Sequence, residues 1–216
     1  MRDEWFIRGN VPMTKEEVRA VSIAKLEIGS RRDGGERSGK CARSILFDIG
    51  AGTGSVSVEA AVTYPDLRIA AFEKKDEAIS LIRRNAEKAG VEDRVEIVPG
   101  NLPESLEQYL TGHPETAPDY VFIGGATANT AKILDLLRVP QIGIRVVINA
   151  IALESIQEVL SALRDRKIEP EISQISAARA EKSGPFHLMK GMNPVTVICF
   201  GGTVCENIAL HRNGVL

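Results

Sequence analysis

Cysteine and histidine are scarce, with three of each in 216 residues. Cys41, Cys199 and Cys205 are odd in number and no pair has metal-ligand spacing, so neither a disulfide framework nor a zinc site is expected. They read as reduced thiols. His113, His187 and His211 are scattered along the chain, and no metal ligand set emerges. No apolar run is long enough to span a bilayer. Met1-Arg2-Asp3-Glu4-Trp5 is too charged for a secretory signal. The formal net charge is −2, which speaks against a nucleic-acid partner while leaving room for a local basic pocket. The expectation is a cytoplasmic chain that meets neither membrane nor nucleic acid.

What the chain does have is alternation. Ile45-Leu46-Phe47, Ile69 to Phe72, Val95 to Val98, Tyr120 to Ile123 and Val146 to Asn149 are short apolar runs, and helical patterns separate several of them. Such runs fit strands buried on both faces, which implies a mostly parallel sheet between helices. Thr14 and Glu17 have capping-box spacing ahead of Val18, Val21 and Ile28. Asp76 can cap a helix that Gly90 closes. Ile172 to Ile175 and Val195 to Phe200 read as late strands flanking an irregular stretch with Gly184-Pro185 and Asn193-Pro194. Residues 29–43, rich in Gly, Ser and basic side chains, read as a mobile surface insertion. The organisation expected is one domain over 1–216, with residues 1–28 a lead-in and helix that cover the site.

Asp48-Ile49-Gly50-Ala51-Gly52-Thr53-Gly54 lies between the first strand and a helix. Glycines there permit a tight turn and close approach of a ligand to the main chain. The third glycine comes one residue earlier than in the dinucleotide fingerprint, and an aspartate precedes the first. Glu73 ends the second strand, where a carboxylate can accept both hydroxyls of an adenosine ribose. Together they describe a nucleoside pocket. Asn101, in Gly100-Asn101-Leu102, is either an adenine contact or turn chemistry. Gly124-Gly125 either leaves room for two reactants to meet or makes a plain turn.

The loop Asp48 to Gly54 resembles motif I of class I methyltransferases. Gly9-Asn-Val-Pro-Met-Thr-Lys-Glu16, Arg83-Arg-Asn-Ala86, Phe122-Ile-Gly-Gly125, Val147-Ile-Asn-Ala150 and Asn193-Pro194 narrow this. In order along the chain, they resemble the precorrin C15-methyltransferase/C12-decarboxylase family of cobalamin biosynthesis, also called precorrin-8w decarboxylase. The resemblance covers about residues 5 to 200. It implies a Rossmann-like three-layer α/β fold with seven strands, the last antiparallel. It also implies S-adenosylmethionine as cofactor and a homotetramer, with a precorrin C5-methyltransferase as a further partner. The reaction implied is methylation at C15 of a precorrin-7-type tetrapyrrole, with or without cobalt, and loss of CO2 from the C12 acetate. It places the cofactor at Thr14, at Gly50, Ala51, Gly52, Thr53 and Gly54 of the loop, and at Glu73 and Leu102; Asp48, Asn101 and Gly124 join them as cofactor candidates from their positions at the same strand ends. Three departures stand out: the insertion at 30–43, Asn101 where members commonly carry Asp, and Arg138-Val-Pro-Gln-Ile-Gly143 in place of a Lys-Pro-Gly-Gly turn.

Methyl transfer requires alignment and desolvation rather than a protein nucleophile, in keeping with the lack of any Ser/His/Asp or Cys/His arrangement. A substrate with many carboxylates calls for cations. Arg8, Lys15, Lys182 and Lys190 are the substrate-binding candidates, with Gly125 beside them. Asn149, Arg179 and His187 are the catalytic candidates, the last as a proton donor. An RNA or protein methyltransferase and a non-catalytic cofactor-binding module remain alternatives on the same fold.

Overall fold

The computed structural model describes residues 1–29, 44–125, 127–139 and 143–202. The expected mobile insertion, Cys41, Cys205, His211 and part of the 138–143 turn lie outside these residues. The strands are β1 Ile45–Ile49, β2 Arg68–Glu73, β3 Val95–Pro99, β4 Tyr120–Ile123, β5 Arg145–Ala150, β6 Glu171–Ile175, β7 Ala178–Ser183, β8 Phe186–Gly191 and β9 Val195–Gly201. The helices are α1 Glu16–Leu26, α2 Ser55–Thr63, α3 Asp76–Ala89, α4 Glu104–Gly112, α5 Thr130–Leu136 and α6 Leu153–Asp165.

Seven strands form one sheet in the order β3-β2-β1-β4-β5-β9-β6. β1 to β5 pair in parallel, and β9 inserts antiparallel between β5 and β6. Alternate strand residues feed two cores. Leu46, Ile69, Ala71, Phe122 and Val147 pack with α1, α2 and α3 on one face. Phe47, Ile49, Phe72, Val121 and Ile148 pack with α4, α5 and α6 on the other. This is the mostly parallel sheet between helices that the alternating runs imply, with the seven strands and antiparallel last strand that the resemblance implies. Both faces are apolar because both are covered. The strand order reverses beside β1, with β2 on one side and β4 on the other. Ligands in such sheets bind at the carboxyl ends of the strands flanking that point. Among the described residues no helix is long and apolar enough to cross a membrane.

Three local expectations are corrected. The Thr14/Glu17 capping box does not form, since α1 starts after Lys15, which is extended and makes no side-chain cap bond. The Glu17 carboxylate is engaged elsewhere. Arg19 Nη1 donates to the Thr14 carbonyl, and Arg179 holds the Glu17 carboxylate through two hydrogen bonds. Asp76 is the first residue of α3 rather than its cap; its charge still suits the positive end of the helix. The stretch between the late strands is not irregular. β7 and β8 form a separate two-stranded hairpin, with Ser183 opposite Phe186 across Gly184-Pro185. Gly184 has φ +60 and proline fixes a negative φ, the sign pattern of a tight hairpin turn. Its strands alternate only briefly, at Ala178-Arg179-Ala180-Glu181 and Phe186-His187-Leu188, and both faces are largely exposed, so the sequence signal is weak.

Candidate active site

The glycine loop is stapled across the sheet. The amides of Gly50 and Ala51 both donate to the Phe72 carbonyl, at 3.0 and 3.1 Å. Gly50, Gly52 and Gly54 all have positive φ, at 79, 57 and 74 degrees. Their surroundings separate their roles. A Cβ on Gly52 would lie 3.2 Å from the Pro12 carbonyl oxygen, whereas one on Gly54 would press on Ile82 of α3 at 3.1 Å. Gly52 therefore keeps space open over the loop, and Gly54 allows helix packing behind it.

A cavity of about 430 Å3 opens over this loop. Of the residues expected to hold a cofactor, Gly50, Gly52, Glu73, Asn101 and Leu102 line it, and Gly125 joins them. The Glu73 carboxylate is already engaged. It accepts the Gly52 amide at 2.9 Å on one oxygen, and the amides of Lys74 and Lys75 at 2.9 and 3.0 Å on the other. Three of roughly four acceptor positions are thus filled, and contact with both hydroxyls of a ribose requires the carboxylate to turn. Phe72, Asn129 and the pair Val11-Pro12 also line the cavity. Asn129 Nδ2 donates to the Leu102 carbonyl and fixes that wall at 3.0 Å.

A second cavity of about 490 Å3 adjoins the first. Thr14, Lys15, Gly124 and Asn149 line it together with apolar side chains such as Met13, Ile175 and Met192. Pro12 belongs to both cavities, and the neighbours Gly124 and Gly125 face one each. A Cβ on Gly124 would meet the Phe122 ring at 2.8 Å and approach the Gly50 carbonyl at 3.7 Å. The seam between the cavities is therefore built for a residue without a side chain.

The segment carrying Val11 to Lys15 is tied down from several sides. Asn85 of α3 is fully buried; its side chain bridges the Ile7 backbone to the Thr53 carbonyl. Glu77 accepts the Asn10 amide at 2.8 Å. Arg19, also fully buried, reaches Glu59, Asp3 and the carbonyls of Thr14 and Met1. Asn85 sits within the Arg83 to Ala86 segment quoted above, but nothing local identified its partners.

The remaining candidates fall outside both cavities. Ala51 and Gly54 belong to the loop without lining either space, and Asp48 and Thr53 are buried beneath it. Arg8 is exposed. Arg179 is committed to Glu17 at 2.7 Å and stands 2.9 Å from Asp3 as an ion pair, which holds the Glu17 carboxyl below its usual range. Lys190 pairs with Glu181 at 3.2 Å on the exposed hairpin, where His187 stands opposite Lys182.

Burial pushes Asp48 up from 3.8 to about 7, offset in part by a 2.5 Å hydrogen bond from Ser57 and reinforced by the negative charge of Glu73. Between these values the folded chain holds a proton that the unfolded chain has released, so stability falls as pH rises through that window. Asp48→Asn, neutral throughout, removes this fall. Relative to the parent it gains about 2 to 4 kcal/mol between pH 4 and pH 8, measured by urea unfolding at both ends. Parallel pH profiles for the two proteins would contradict it.

The precorrin methyltransferase domain model matches residues 4–200. The chain is 34% identical over 201 residues to the cobalt-precorrin-6B C(15)-methyltransferase (decarboxylating) of Salmonella typhimurium, covering 92% of this chain and 94% of that one. The chain belongs to the precorrin methyltransferase family. Two solved structures share its fold. Precorrin-6y C5,15-methyltransferase from Geobacter metallireducens superposes with TM-score 0.76 at 29% identity, over 93% of this chain and 96% of that one. Precorrin-8w decarboxylase from Methanobacterium thermoautotrophicum gives 0.75 at 28%, over 93% and 99%. This precorrin methyltransferase is thus an enzyme of the class its motif I suggested. The Salmonella relative is named for cobalt-precorrin-6B, where the resemblance had led to a precorrin-7-type macrocycle.

Proposed function

We propose that this enzyme moves the methyl group of S-adenosylmethionine to C15 of cobalt-precorrin-6B, with loss of CO2 from the C12 acetate, in cobalamin biosynthesis. The observation that carries the reading is the pair of cavities meeting at Pro12 and Gly124–Gly125. Group transfer between two bound molecules needs adjoining sites whose partition is thin at one point. Glycines at the seam make it so.

The first cavity suits the donor. Its volume lies in the range of cofactor sites. Gly52 leaves open the space that a side chain would take, Glu73 offers a carboxylate at the rim, and Asn101 with Leu102 forms the wall after β3. In this reading Glu73 turns to take the ribose hydroxyls, Asn101 and Leu102 flank the adenine, and the loop amides meet the amino-acid end. The bound donor supplies an activated methyl group. The protein aligns the reactants and excludes water, which strengthens every polar contact in the site.

The test is incubation of the purified enzyme with S-adenosylmethionine and cobalt-precorrin-6B, followed by mass spectrometry. A product that has gained one methyl and lost CO2 is expected. An unmethylated macrocycle, with donor binding demonstrated by calorimetry, would sink the reading.

The hairpin supports a homo-oligomer. Phe186, Leu188 and Met189 are 68%, 58% and 68% exposed on a two-stranded unit that is marginal in water by itself. The expected state is a tetramer by light scattering, with Phe186→Asp/Leu188→Asp reduced to smaller species. A monomeric parent would remove the proposal.

A further inference from the structure

The methyl-transfer reading leaves open how the second cavity recognises a molecule carrying many carboxylates. The surrounding charges narrow the answer. Of the cationic candidates, Arg179 is spent on Glu17 and Asp3, Lys190 on Glu181, and Arg8 and Lys182 line neither cavity. Lys15 is the one charged residue lining the second cavity, half-buried and with no ion pair or hydrogen bond from its ammonium group among the described residues. Among the described residues no anion lines this cavity to compete for it.

Asn149 lines the same cavity at the carboxyl end of β5 and is 8% exposed. Ser22 of α1 holds its amide. Asn149 Nδ2 donates to Ser22 Oγ at 2.9 Å, and the Ser22 hydroxyl has two acceptors in reach, the Val18 carbonyl at 2.8 Å and Asn149 Oδ1 at 3.1 Å. An amide nitrogen has two hydrogens, and Ser22 takes one. The second remains for a ligand. Most of the remaining wall is apolar, including Met13, Val18, Ile151, Ile175 and Val195.

We propose that the second cavity is a clamp for one carboxylate, in which the Lys15 ammonium and the Asn149 amide take the two oxygens of a single acidic arm and the apolar wall takes the ring edge bearing it. The proposal rests on the methyl-transfer reading for the identity of the ring. Its chemistry is a carboxylate matched to one charged and one neutral donor. A second carboxylate driven into the same space would be buried without a partner, so the other acidic arms stay in solvent. Ser22 acts through Asn149 as a positioning residue.

The test uses the intact chain loaded with S-adenosylhomocysteine and titrated with cobalt-precorrin-6B, followed by the macrocycle's absorbance. Donor affinity is measured separately by calorimetry. Lys15→Gln is expected to weaken macrocycle binding by roughly tenfold or more while donor affinity stays within about twofold, and Lys15→Arg, which keeps the charge, to recover part of the loss. Asn149→Asp puts a like charge against the arm and is expected to weaken binding more than Asn149→Ala. Ser22→Ala is expected to lower macrocycle affinity by a smaller factor, with Ser22→Thr restoring it. Unchanged macrocycle affinity in Lys15→Gln overturns the clamp. So does an equal loss of donor and macrocycle, or Asn149→Asp binding no worse than Asn149→Ala. If the parent binds the macrocycle but transfers no methyl group, the functional reading fails while the comparison of variants still decides the clamp. If the parent does not bind the macrocycle, the clamp fails.

Discussion

Arg19→Met is expected to cost about 3 to 5 kcal/mol of folding stability, lowering Tm by roughly 10 °C in a chain of this size. The guanidinium is fully buried. Nε donates to Glu59 at 2.5 Å, Nη1 to Asp3 at 3.1 Å and to the Thr14 carbonyl at 2.5 Å, and Nη2 to the Met1 carbonyl at 2.6 Å. Its face lies 4.7 Å from the centre of the Phe6 ring. Methionine fills a similar volume but leaves Asp3, buried, with Arg179 as its remaining cation, and strips one from Glu59. Breaking one side of a buried ion pair costs far more than the pair contributes as a whole. Arg19→Lys is expected to rescue little, because one ammonium cannot span acceptors in several directions. The same change should loosen the segment Val11 to Lys15, since the Thr14 carbonyl loses its donor, and donor affinity should fall with it. Urea unfolding and calorimetric titration read the two effects separately. A variant with parental stability and parental donor affinity would show the network to be incidental.

Gly52→Ala is expected to reduce S-adenosylmethionine affinity about a hundredfold or more while lowering stability by only about 1 to 2 kcal/mol. The stability cost comes from holding alanine at φ 57, in the left-handed region that glycine occupies freely. The affinity cost comes from space. The new Cβ stands 3.2 Å from the Pro12 carbonyl and enters the cavity over the loop, where the Gly52 amide meets Glu73. Relief requires Pro12 to move, and Pro12 lines both cavities. Gly54→Ala provides the contrast. Its Cβ presses on Ile82 behind the loop, so stability should suffer more than in Gly52→Ala and donor affinity less. Calorimetric titration together with thermal unfolding separates them. Equal profiles for the two variants would show that the glycines share one role.

The parallel sheet was legible because a strand covered on both faces is a short unbroken apolar run. Ile69 to Phe72, Tyr120 to Ile123 and Val146 to Ile148 all become strands. The loop at Gly50 and the carboxylate at Glu73 were legible because each adjoins such a run. α4 carries a signal in Leu106, Tyr109 and Leu110, spaced for one helix face. The hairpin carried almost none, since its strands are exposed on both sides. The capping box misled because Glu17 has a partner distant in sequence, and local spacing says nothing of Arg179.

By itself the sequence determined the layers, the strands of the main sheet, the glycine turn and the family to which the chain belongs. These depend on periodicity and on residues next to one another in the chain. Tertiary structure alone decided which candidates share a space. Lys15 and Asn149 are far apart in sequence and line one cavity, while Arg179 is neutralised by Asp3 and Glu17 from the other end of the chain. A side chain's charge is available to a ligand only if no nearer partner claims it, and that partner is set by the fold.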